Sequence, residues 1–473
     1  MREDSSDAAD DFGAILAAAL ESDSEEDIAV LDSKRVRMCK EEENAKTDES
    51  QSSASLGFSE SNSDISKDKA CSHHGEFMKG LCVVCGEMHP MPSSGVAFRY
   101  IHPDLMLANS EIDQRRARDT EKLLSQKKLY LILDLDHTLL NSTPLSLMTH
   151  EEYLKAREDS LQDVSKGSLF VLPHMHIATK LRPFVRTFLE EASAMFEMYI
   201  YTMGARPYAL EMANLLDPDK KYFDARVISR DDGTQRHQKG LDVILGEESA
   251  VLVLDDTENA WTKHKDNLIL MERYHYFSSS CRQFGFTCKS HSQLEHDESK
   301  PDGALATAIS VLNQLHSTFF AVFEAEPSVA DVRQVLKSLQ KGILKGCRLV
   351  FSRVFPTKFP VESHPVWRMA EQLGATCSER MEQTVTHVVA MDAGTGKSRW
   401  AVKEKKFLVN PGWVEACYYG WKRQPEDRFH LACLLSGFYY EGIGTLSGAG
   451  PVGKSSCDGA DPNVDVPASP LVR

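Results

Sequence analysis

The sequence predicts an α/β protein whose middle part folds into a mainly parallel sheet. Four apolar runs have the length and composition of buried strands: Leu129–Leu133, Met198–Tyr201, Arg226–Ile228 and Val251–Leu254. Pro207–Leu216, between the second and third runs, has its apolar residues at helical spacing. Strands that alternate with helices form βαβ units, so we expect the carboxyl ends of these strands to meet at one edge of the sheet.

The 473 residues differ strongly in composition along the chain. Residues 1–65 contain 18 Asp and Glu against 6 Lys and Arg, and such a segment cannot bury enough apolar surface to fold. The remainder is close to neutral, which argues against a strongly basic nucleic-acid-binding domain. The eleven cysteines occur without a secretory signal, and no apolar run is long enough to span a bilayer. We therefore expect an intracellular, soluble protein with no membrane contact and no direct nucleic-acid binding.

Paired carboxylates follow two of the predicted strands. Asp134 and Asp136 come after the first strand, and Asp255 and Asp256 come after the fourth. Because like charges repel, carboxylates grouped at one sheet edge usually bind a hard cation. One pair alone would be explained equally well by turn or helix-capping residues. Two pairs at the same edge favour a cation site.

Two further polar side chains are expected at this edge. Thr202 directly follows the second strand, and Lys239 lies in the polar loop after the third. Taken alone, Thr202 is typical of a turn and Lys239 of a solvated surface. In this order, a hydroxyl and a lysine between two carboxylate pairs are suited to holding a phosphoryl group.

Five short strings resemble the Fcp/Scp phosphatases of the haloacid-dehalogenase superfamily, which act on the C-terminal repeat domain of RNA polymerase II. They are LDLDHTL at Leu133–Leu139, KLRP at Lys180–Pro183, YTMGA at Tyr201–Ala205, SRDD at Ser229–Asp232 and LDD at Leu254–Asp256. Asp217-Pro218 and Trp261 also fit the pattern. The resemblance implies a haloacid-dehalogenase-like, Rossmann-like parallel sheet as the catalytic domain.

The resemblance also implies a mechanism. Asp134 is the expected nucleophile, which forms an aspartyl-phosphate, and Asp136 is the expected general acid and base. Thr202 and Lys239 are expected to hold the phosphoryl oxygens, and Asp255 to orient its end of the site.

The same resemblance implies a metal site and one more functional residue. Mg²⁺, which Mn²⁺ or Co²⁺ could replace in vitro, is expected on Asp134, on the backbone carbonyl of Asp136 and on Asp256. Arg182 resembles a family arginine at the mouth of the site. A structural salt bridge is the alternative for Arg182.

The chain is predicted to contain six segments. In order, we expect a disordered acidic tail (1–65), a zinc-binding segment with a lead-in (66–126), the phosphatase domain (127–300), a helical linker (301–340), a small α/β BRCT domain (341–432) and a disordered tail (433–473).

Cysteine and histidine spacing before the phosphatase domain indicates a second metal. Cys71-x-His73 is followed by Cys82-x-x-Cys85, which matches tetrahedral zinc ligation. His74 competes with His73 as a ligand, and unligated thiols are the alternative.

The C-terminal third resembles a BRCT domain. The strings that carry this resemblance are Leu344–Ser352, Leu373–Ala375, Thr386–Val389 and Trp413–Cys417. In some BRCT domains a serine after the first strand and a later Thr-x-Lys bind phosphate, and Ser352, Thr395 and Lys397 fit that pattern. Because serine and lysine are abundant, a chance match is the alternative.

The resemblance to the Fcp/Scp phosphatases implies a protein serine/threonine phosphatase of the RNA polymerase II repeat domain that regulates transcription in the nucleus. General transcription factors are further expected partners, through the acidic tail or the BRCT domain. The BRCT resemblance and the lack of a cap-sized insertion between Thr202 and Asp255 favour a peptide substrate. A small-molecule phosphatase with the same site and a catalytically weak phosphopeptide-binding scaffold are the alternatives.

Overall fold

The computed structural model describes residues 75–88, 95–162, 167–285 and 289–431. The strands are β1 (Glu76–Met78), β2 (Leu81–Cys82), β3 (Gly95–Ala97), β4 (Leu105–Ala108), β5 (Leu129–Leu133), β6 (Leu140–Pro144), β7 (Leu169–Leu172), β8 (Ile177–Leu181), β9 (Phe196–Tyr201), β10 (Val227–Ile228), β11 (Val251–Asp255), β12 (Leu268–Leu270), β13 (Arg348–Ser352), β14 (Thr376–Ser378), β15 (His387–Ala390) and β16 (Phe407–Val409). The helices are α1 (Asn109–Ser125), α2 (His150–Gln162), α3 (Val185–Met195), α4 (Arg206–Leu216), α5 (Ser278–Gln283), α6 (His291–Leu294), α7 (Ala304–Ala325), α8 (Val332–Gly342), α9 (Pro365–Gln372), α10 (Gly396–Lys403) and α11 (Gly412–Tyr419).

The largest sheet is parallel and has the strand order β10-β9-β5-β11-β12. Its central strand β5 is buried along its whole length, which explains why its sequence is continuously apolar rather than alternating. The predicted α/β fold class is confirmed, and the four predicted strands correspond to β5, β9, β10 and β11. The edge strand β12 was not predicted, because its three residues are too short a run to distinguish from a loop.

Helices pack against this sheet and complete the core. The predicted helix Pro207–Leu216 is present as α4, which begins one residue earlier and carries Pro207 in its first turn. Helix α7 is 22 residues long and apolar enough, by length and composition, to cross a membrane. Its residues Leu305, Leu312 and Phe319 are instead buried in the same core as the central strands. We therefore describe α7 as a core helix.

An inserted unit follows the first carboxylate pair. Strands β6, β8 and β7 form an antiparallel sheet in that order, and α2 packs on β7. The Asn141 side chain accepts hydrogen bonds from the backbone N–H groups of Tyr276 and Phe277, at 2.9 and 3.0 Å. These bonds fix the insertion to the segment that follows β12.

The C-terminal part forms its own parallel sheet, in the order β14-β13-β15-β16, with α9, α10 and α11 around it. Trp413 is fully buried in this second core, as the BRCT resemblance implies. Gly374 has φ +88°, and a Cβ there would lie 2.0 Å from the carbonyl oxygen of Lys341, so only glycine fits this turn. Leu270 of β12 packs against the same core, and Arg368 pairs with Glu258 at 3.5 Å. The two sheets are thereby joined close to the end of β11.

Candidate active site

The carboxyl ends of β5, β9 and β11 bring the predicted site residues together. The backbone N–H of Asp134 donates to Leu254 O at 3.0 Å, and that of Thr202 donates to Ile228 O at 3.0 Å. These bonds continue the sheet pairing one residue beyond each strand, so the side chains that follow share one edge. Asp134, Asp255, Asp256, Thr202 and Lys239 are all buried there.

Lys239 lies between two of the carboxylates. Its Nζ donates to Oδ1 of Asp134 at 2.5 Å and to Oδ2 of Asp255 at 2.6 Å. Burial would lower the pKa of Lys239, but the two aspartates outweigh burial and raise the pKa above its ordinary value. Lys239 is therefore a charged side chain inside the site and not the solvated lysine that its loop position alone would suggest.

The carboxylates still outnumber the positive charge at this edge. Burial, followed by the charge of Asp255, raises the pKa of Asp134 well above its usual range, although Lys239 opposes this shift. Burial likewise raises the pKa of Asp255. The excess of negative charge is the physical reason to expect a cation here.

Asp255 has both carboxylate oxygens engaged in hydrogen bonds. Oδ1 accepts from the backbone N–H of Thr257 at 2.8 Å, and Oδ2 accepts from Trp261 Nε1 at 2.8 Å in addition to Lys239. Such a fully bonded carboxylate is suited to orienting its neighbours. The orienting role expected for Asp255 stays a prediction.

The three carboxylates Asp134, Asp255 and Asp256 offer oxygens that lie within 4.8 Å of one another. The contacts of Asp256 are made by Oδ2, which accepts from Arg273 Nε at 2.5 Å and from Thr257 Oγ1 at 3.1 Å. Burial would raise the pKa of Asp256, but Arg273 lowers it below its ordinary value. Among the described contacts, Oδ1 of Asp256 and Oδ2 of Asp134 accept no hydrogen bond. This all-oxygen arrangement fits a hard divalent cation.

Asp136 lies beside these three carboxylates, and two hydroxyl groups contact its side chain. Tyr208 donates to its Oδ1 at 2.5 Å, and Thr202 Oγ1 lies 3.4 Å from its Oδ2. Burial raises the pKa of Asp136, and the hydrogen bond from Tyr208 opposes the rise. A partly buried carboxyl with a raised pKa is suited to carrying a proton to a leaving group.

Arg182 does not extend into this group of side chains. Its guanidinium is fully buried, pairs with Glu298 at 2.7 Å and donates to the carbonyl oxygens of His137 and Thr138 at 3.4 and 3.1 Å. Of the two alternatives for Arg182, these contacts favour the structural salt bridge. The carbonyl contacts also connect it to the turn after Asp136, in which His137 adopts a left-handed φ of +63°.

Of the other predicted site residues, some lie within the described residues and some lie outside them. Cys71, His73 and His74 lie outside the described residues, as do both predicted tails. Cys82 is buried at the end of β2, and Cys85 is exposed in the turn that follows this strand. In the C-terminal sheet, Ser352 Oγ and Thr395 Oγ1 are 2.8 Å apart, and Lys397 Nζ donates to Phe351 O at 2.9 Å. The structure thus brings the predicted phosphate-binding residues together.

Sequence reasoning missed three residues that contact the central group: Tyr208, Arg273 and Thr257. Tyr208 lies in the first turn of α4, six residues after Thr202, so its position near a strand end was a usable signal. Arg273 follows β12, and recognition of that strand would have placed it at the same sheet edge. Thr257 directly follows the second carboxylate pair.

Two family models match the chain. Residues 129–284 match the NLI interacting factor-like phosphatase family, and residues 354–413 match the twin BRCT domain. The first match begins with β5 and includes the whole group of carboxylates, hydroxyls and lysine described above. Together with the parallel sheet and its acidic strand ends, it defines the protein as a phosphatase of the haloacid-dehalogenase type.

Comparison with known relatives assigns the chain to a particular family within this class of phosphatases. The chain is 60% identical over 368 residues to RNA polymerase II C-terminal domain phosphatase-like 4 of Arabidopsis thaliana, an alignment that covers 77% of this chain and 83% of the relative. It is 42% identical over 328 residues to phosphatase-like 3 of the same plant, covering 67% of this chain but 26% of that longer protein. The chain belongs to the RNA polymerase II C-terminal domain phosphatase family, as its motifs predicted.

A solved structure agrees with this assignment. The structure of Fcp1, described as an essential RNA polymerase II CTD phosphatase, superposes with a TM-score of 0.54 at 26% sequence identity. The superposition covers 67% of this chain and 99% of that one. The similarity therefore extends over the central sheet and the C-terminal sheet together.

Proposed function

We propose that this protein removes phosphate from phosphoserine in the C-terminal heptad repeats of the largest RNA polymerase II subunit, and that it thereby regulates transcription. The observation that carries the proposal is the bridge from Lys239 to Asp134 and Asp255, 2.5 and 2.6 Å long, at the edge where four carboxylates meet. The names of the two plant relatives support the choice of substrate.

The proposed reaction has two steps, both at phosphorus. An oxygen of Asp134 attacks the phosphoryl group, the bond from phosphorus to the serine oxygen breaks, and Asp136 donates its proton to that oxygen. Asp136 then takes a proton from water while the water oxygen attacks phosphorus. This second step releases inorganic phosphate and restores both aspartates.

Thr202 and Lys239 are positioned to hold the transferred group. Gly204 N donates to Thr202 Oγ1 at 2.9 Å, which fixes the hydroxyl beside Asp136. The Lys239 ammonium is already oriented by two carboxylates, so it can stabilise charge on the phosphoryl oxygens without first losing solvent.

We infer that Mg²⁺ is the cation and that Asp134, Asp256 and the carbonyl oxygen of Asp136 hold it. When bound, it acts as a Lewis acid on a phosphoryl oxygen and offsets the repulsion between the aspartates. Mn²⁺ and Co²⁺ would suit the same oxygen ligands in vitro.

The proposal is tested by comparing substrates with the purified full-length chain and Mg²⁺. We expect a higher kcat/KM for heptad-repeat peptides carrying phosphoserine than for sugar phosphates. An Asp134→Asn variant measured in parallel controls for contaminating phosphatases. Equal or better turnover of sugar phosphates would favour the small-molecule alternative, and no turnover of any substrate would favour the scaffold alternative.

We further propose that the C-terminal module binds phosphate through Ser352, Thr395 and Lys397. Thr395 Oγ1 accepts from Ser398 N at 3.1 Å and caps α10, which places the two hydroxyls and the helix start side by side. Binding of the full chain to phosphorylated and unphosphorylated repeat peptides, in an Asp134→Asn background, tests this. A Ser352→Ala substitution should remove the preference, and equal affinity for both peptides would contradict the pocket.

We propose that Cys71, His73, Cys82 and Cys85 hold a structural Zn²⁺, since their spacing suits tetrahedral ligation. Metal analysis of the purified chain should then detect zinc, and a Cys82→Ser, Cys85→Ser double variant should lose it. Absence of zinc in the unsubstituted protein would end this proposal. We also propose a nuclear location, which the name of the plant relative supports, and contact with general transcription factors through the acidic tail or the BRCT domain.

A further inference from the structure

Arg273 is hydrogen-bonded to one of the two carboxylate oxygens of Asp256, which is a proposed metal ligand. Its Nε donates to Oδ2 of Asp256 at 2.5 Å, and its Nη2 lies 3.4 Å from Thr257 Oγ1, which itself donates to the same Oδ2. Two donors therefore converge on Oδ2, which leaves Oδ1 as the oxygen available to a metal. The sequence motifs of the site do not include Arg273, and the reaction proposed above assigns it no step.

The surrounding structure holds Arg273 in this position. Its guanidinium lies 4.5 Å from the ring centroid of Phe284, and only 22% of its side chain is exposed. The backbone on either side is bonded to the site itself: Met271 N donates to Asp255 O, and Tyr274 N donates to His137 O, both at 2.8 Å. Arg273 thus belongs to a segment that is hydrogen-bonded to the same edge as the carboxylates.

The number of oxygens that a carboxylate offers matters for cation choice. Mg²⁺ requires a compact octahedron with short bonds to single oxygens, whereas Ca²⁺ accepts more ligands, longer bonds and carboxylates that bind through both oxygens. An arginine fixed on Oδ2 prevents Asp256 from offering both oxygens. The side chain can then supply only the single-oxygen ligation that Mg²⁺ prefers.

We propose that Arg273 is a positioning residue that makes the site selective for Mg²⁺ over Ca²⁺ by keeping Asp256 a one-oxygen ligand. The inference rests on the metal assignment proposed above. Arg273 also has a second, separable effect. Its positive charge repels any divalent cation, so removing it raises the affinity for both ions to a similar extent. A change in the ratio of the Mg²⁺ and Ca²⁺ affinities therefore reports the effect of Arg273 on the carboxylate geometry. A change of equal size in both affinities reports the effect of its charge.

The test measures the dissociation constants of Mg²⁺ and Ca²⁺ separately, by calorimetric titration of the metal-free full-length chain. In Arg273→Gln we expect the ratio of constants to move toward Ca²⁺ by about tenfold, which is the usual scale for groups that orient a metal ligand. Thr257→Val, which removes the weaker donor to Oδ2, should move the ratio in the same direction by less. The matched control is Arg118→Gln, because Arg118 is exposed on α1 and pairs with its neighbour Asp119.

Thermal unfolding of the metal-free variants checks that the fold is intact, and Arg273→Lys provides a milder second substitution. Lysine keeps the charge but lacks the planar guanidinium that contacts both Asp256 Oδ2 and Thr257 Oγ1. We therefore expect a ratio of constants between that of the unsubstituted chain and that of Arg273→Gln. A parallel change in both constants, with the ratio unmoved, would overturn the inference while leaving the metal assignment in place. Failure of the unsubstituted chain to bind either cation would overturn both.

Discussion

The phenol hydroxyl of Tyr208 donates a 2.5 Å hydrogen bond to Oδ1 of Asp136. Behind it, Ser142 Oγ lies 2.8 Å from the Tyr208 hydroxyl and 2.9 Å from Thr179 Oγ1, and all of these groups are buried. A Cβ at Gly204 would come within 2.5 Å of the Tyr208 ring, so glycine at this position permits the approach. A chain of hydroxyls inside the insertion and α4 therefore fixes the carboxyl that is proposed to donate the proton.

Tyr208→Phe should impair the protonation of poor leaving groups most. Serine leaves as a strongly basic oxygen and needs the proton of Asp136, whereas nitrophenol leaves readily without it. We expect kcat for a phosphoserine peptide to fall by about 10–100-fold, a part of the full general-acid effect, and kcat for p-nitrophenyl phosphate to fall much less. Tyr153→Phe, on α2, is the matched control. Equal losses on both substrates would mean that Tyr208 does not act through Asp136.

Asp134→Asn should abolish turnover and leave the fold intact. The amide cannot form the acyl-phosphate, so the loss should exceed about 1,000-fold, the scale seen when a nucleophile is removed. The substitution also removes one of several mutually repelling carboxylates, so the free energy of unfolding should not fall. Steady-state kinetics and circular dichroism on the same preparation check both points. Retained activity would show that another residue is the nucleophile.

The position of Asp134 illustrates what could be predicted from the sequence. Its strand is five continuous apolar residues, and the rule that parallel strands present ligands at their carboxyl ends was enough to group it with Thr202 and Asp255. The confirmed fold class follows from the same local patterns. Contacts such as Tyr208 with Asp136, 72 residues apart, depend on how a helix turns back over the sheet, and no local period encodes that.

The role of Arg273 and the fold of the insertion could not be predicted from the sequence, for related reasons. Strand β12 has only three residues. Strand β6 is polar in sequence yet buried, because its Asn, Ser and Thr side chains form hydrogen bonds with other segments. Both features are defined by tertiary partners rather than by hydrophobic spacing.

Lys239→Met should destabilise the metal-free protein. Removing the ammonium leaves Asp134 and Asp255 as buried carboxylates without their ion-pair partner, a change that typically costs about 3–5 kcal/mol. Denaturant unfolding should detect this loss, and added Mg²⁺ should recover part of it by supplying positive charge at the same edge. Phosphatase activity should be lost as well. Lys263→Met, on the exposed loop nearby, should change neither property, and unaltered stability of Lys239→Met would contradict the buried bridge.

Arg182 and Glu298 allow the two interpretations of Arg182 to be separated. If the pair is structural, Glu298→Gln should lower the free energy of unfolding by about 3 kcal/mol, because it leaves a buried guanidinium without its carboxylate. The double variant Arg182→Met, Glu298→Leu should regain much of that stability, since paired apolar replacements avoid the desolvation cost. A substrate-binding Arg182 predicts a different pattern, in which Glu298→Gln keeps both stability and activity while Arg182→Met raises KM.

Glu415 on α11 should make stability depend on pH. Its side chain is buried, its Oε2 has no hydrogen-bond partner among the described residues, and burial raises its pKa to about 7. Because the folded state holds this proton more tightly than the unfolded state, the favourable contribution is fully present below the ordinary glutamate pKa. It is lost as the pH rises toward 7, by about 3 kcal/mol in total.

Glu415→Gln removes this ionisation while keeping the shape of the side chain. We expect the variant to unfold at a higher denaturant concentration than the unsubstituted chain at pH 8, and at a similar concentration at pH 4.5. Glu362→Gln, at an exposed position in the same C-terminal part of the chain, controls for the change in net charge, because an exposed carboxylate contributes little to stability. The difference between the Glu415 variant and the unsubstituted chain should therefore grow with pH. A difference that is constant across this range would mean that Glu415 ionises in the folded protein as it does in water.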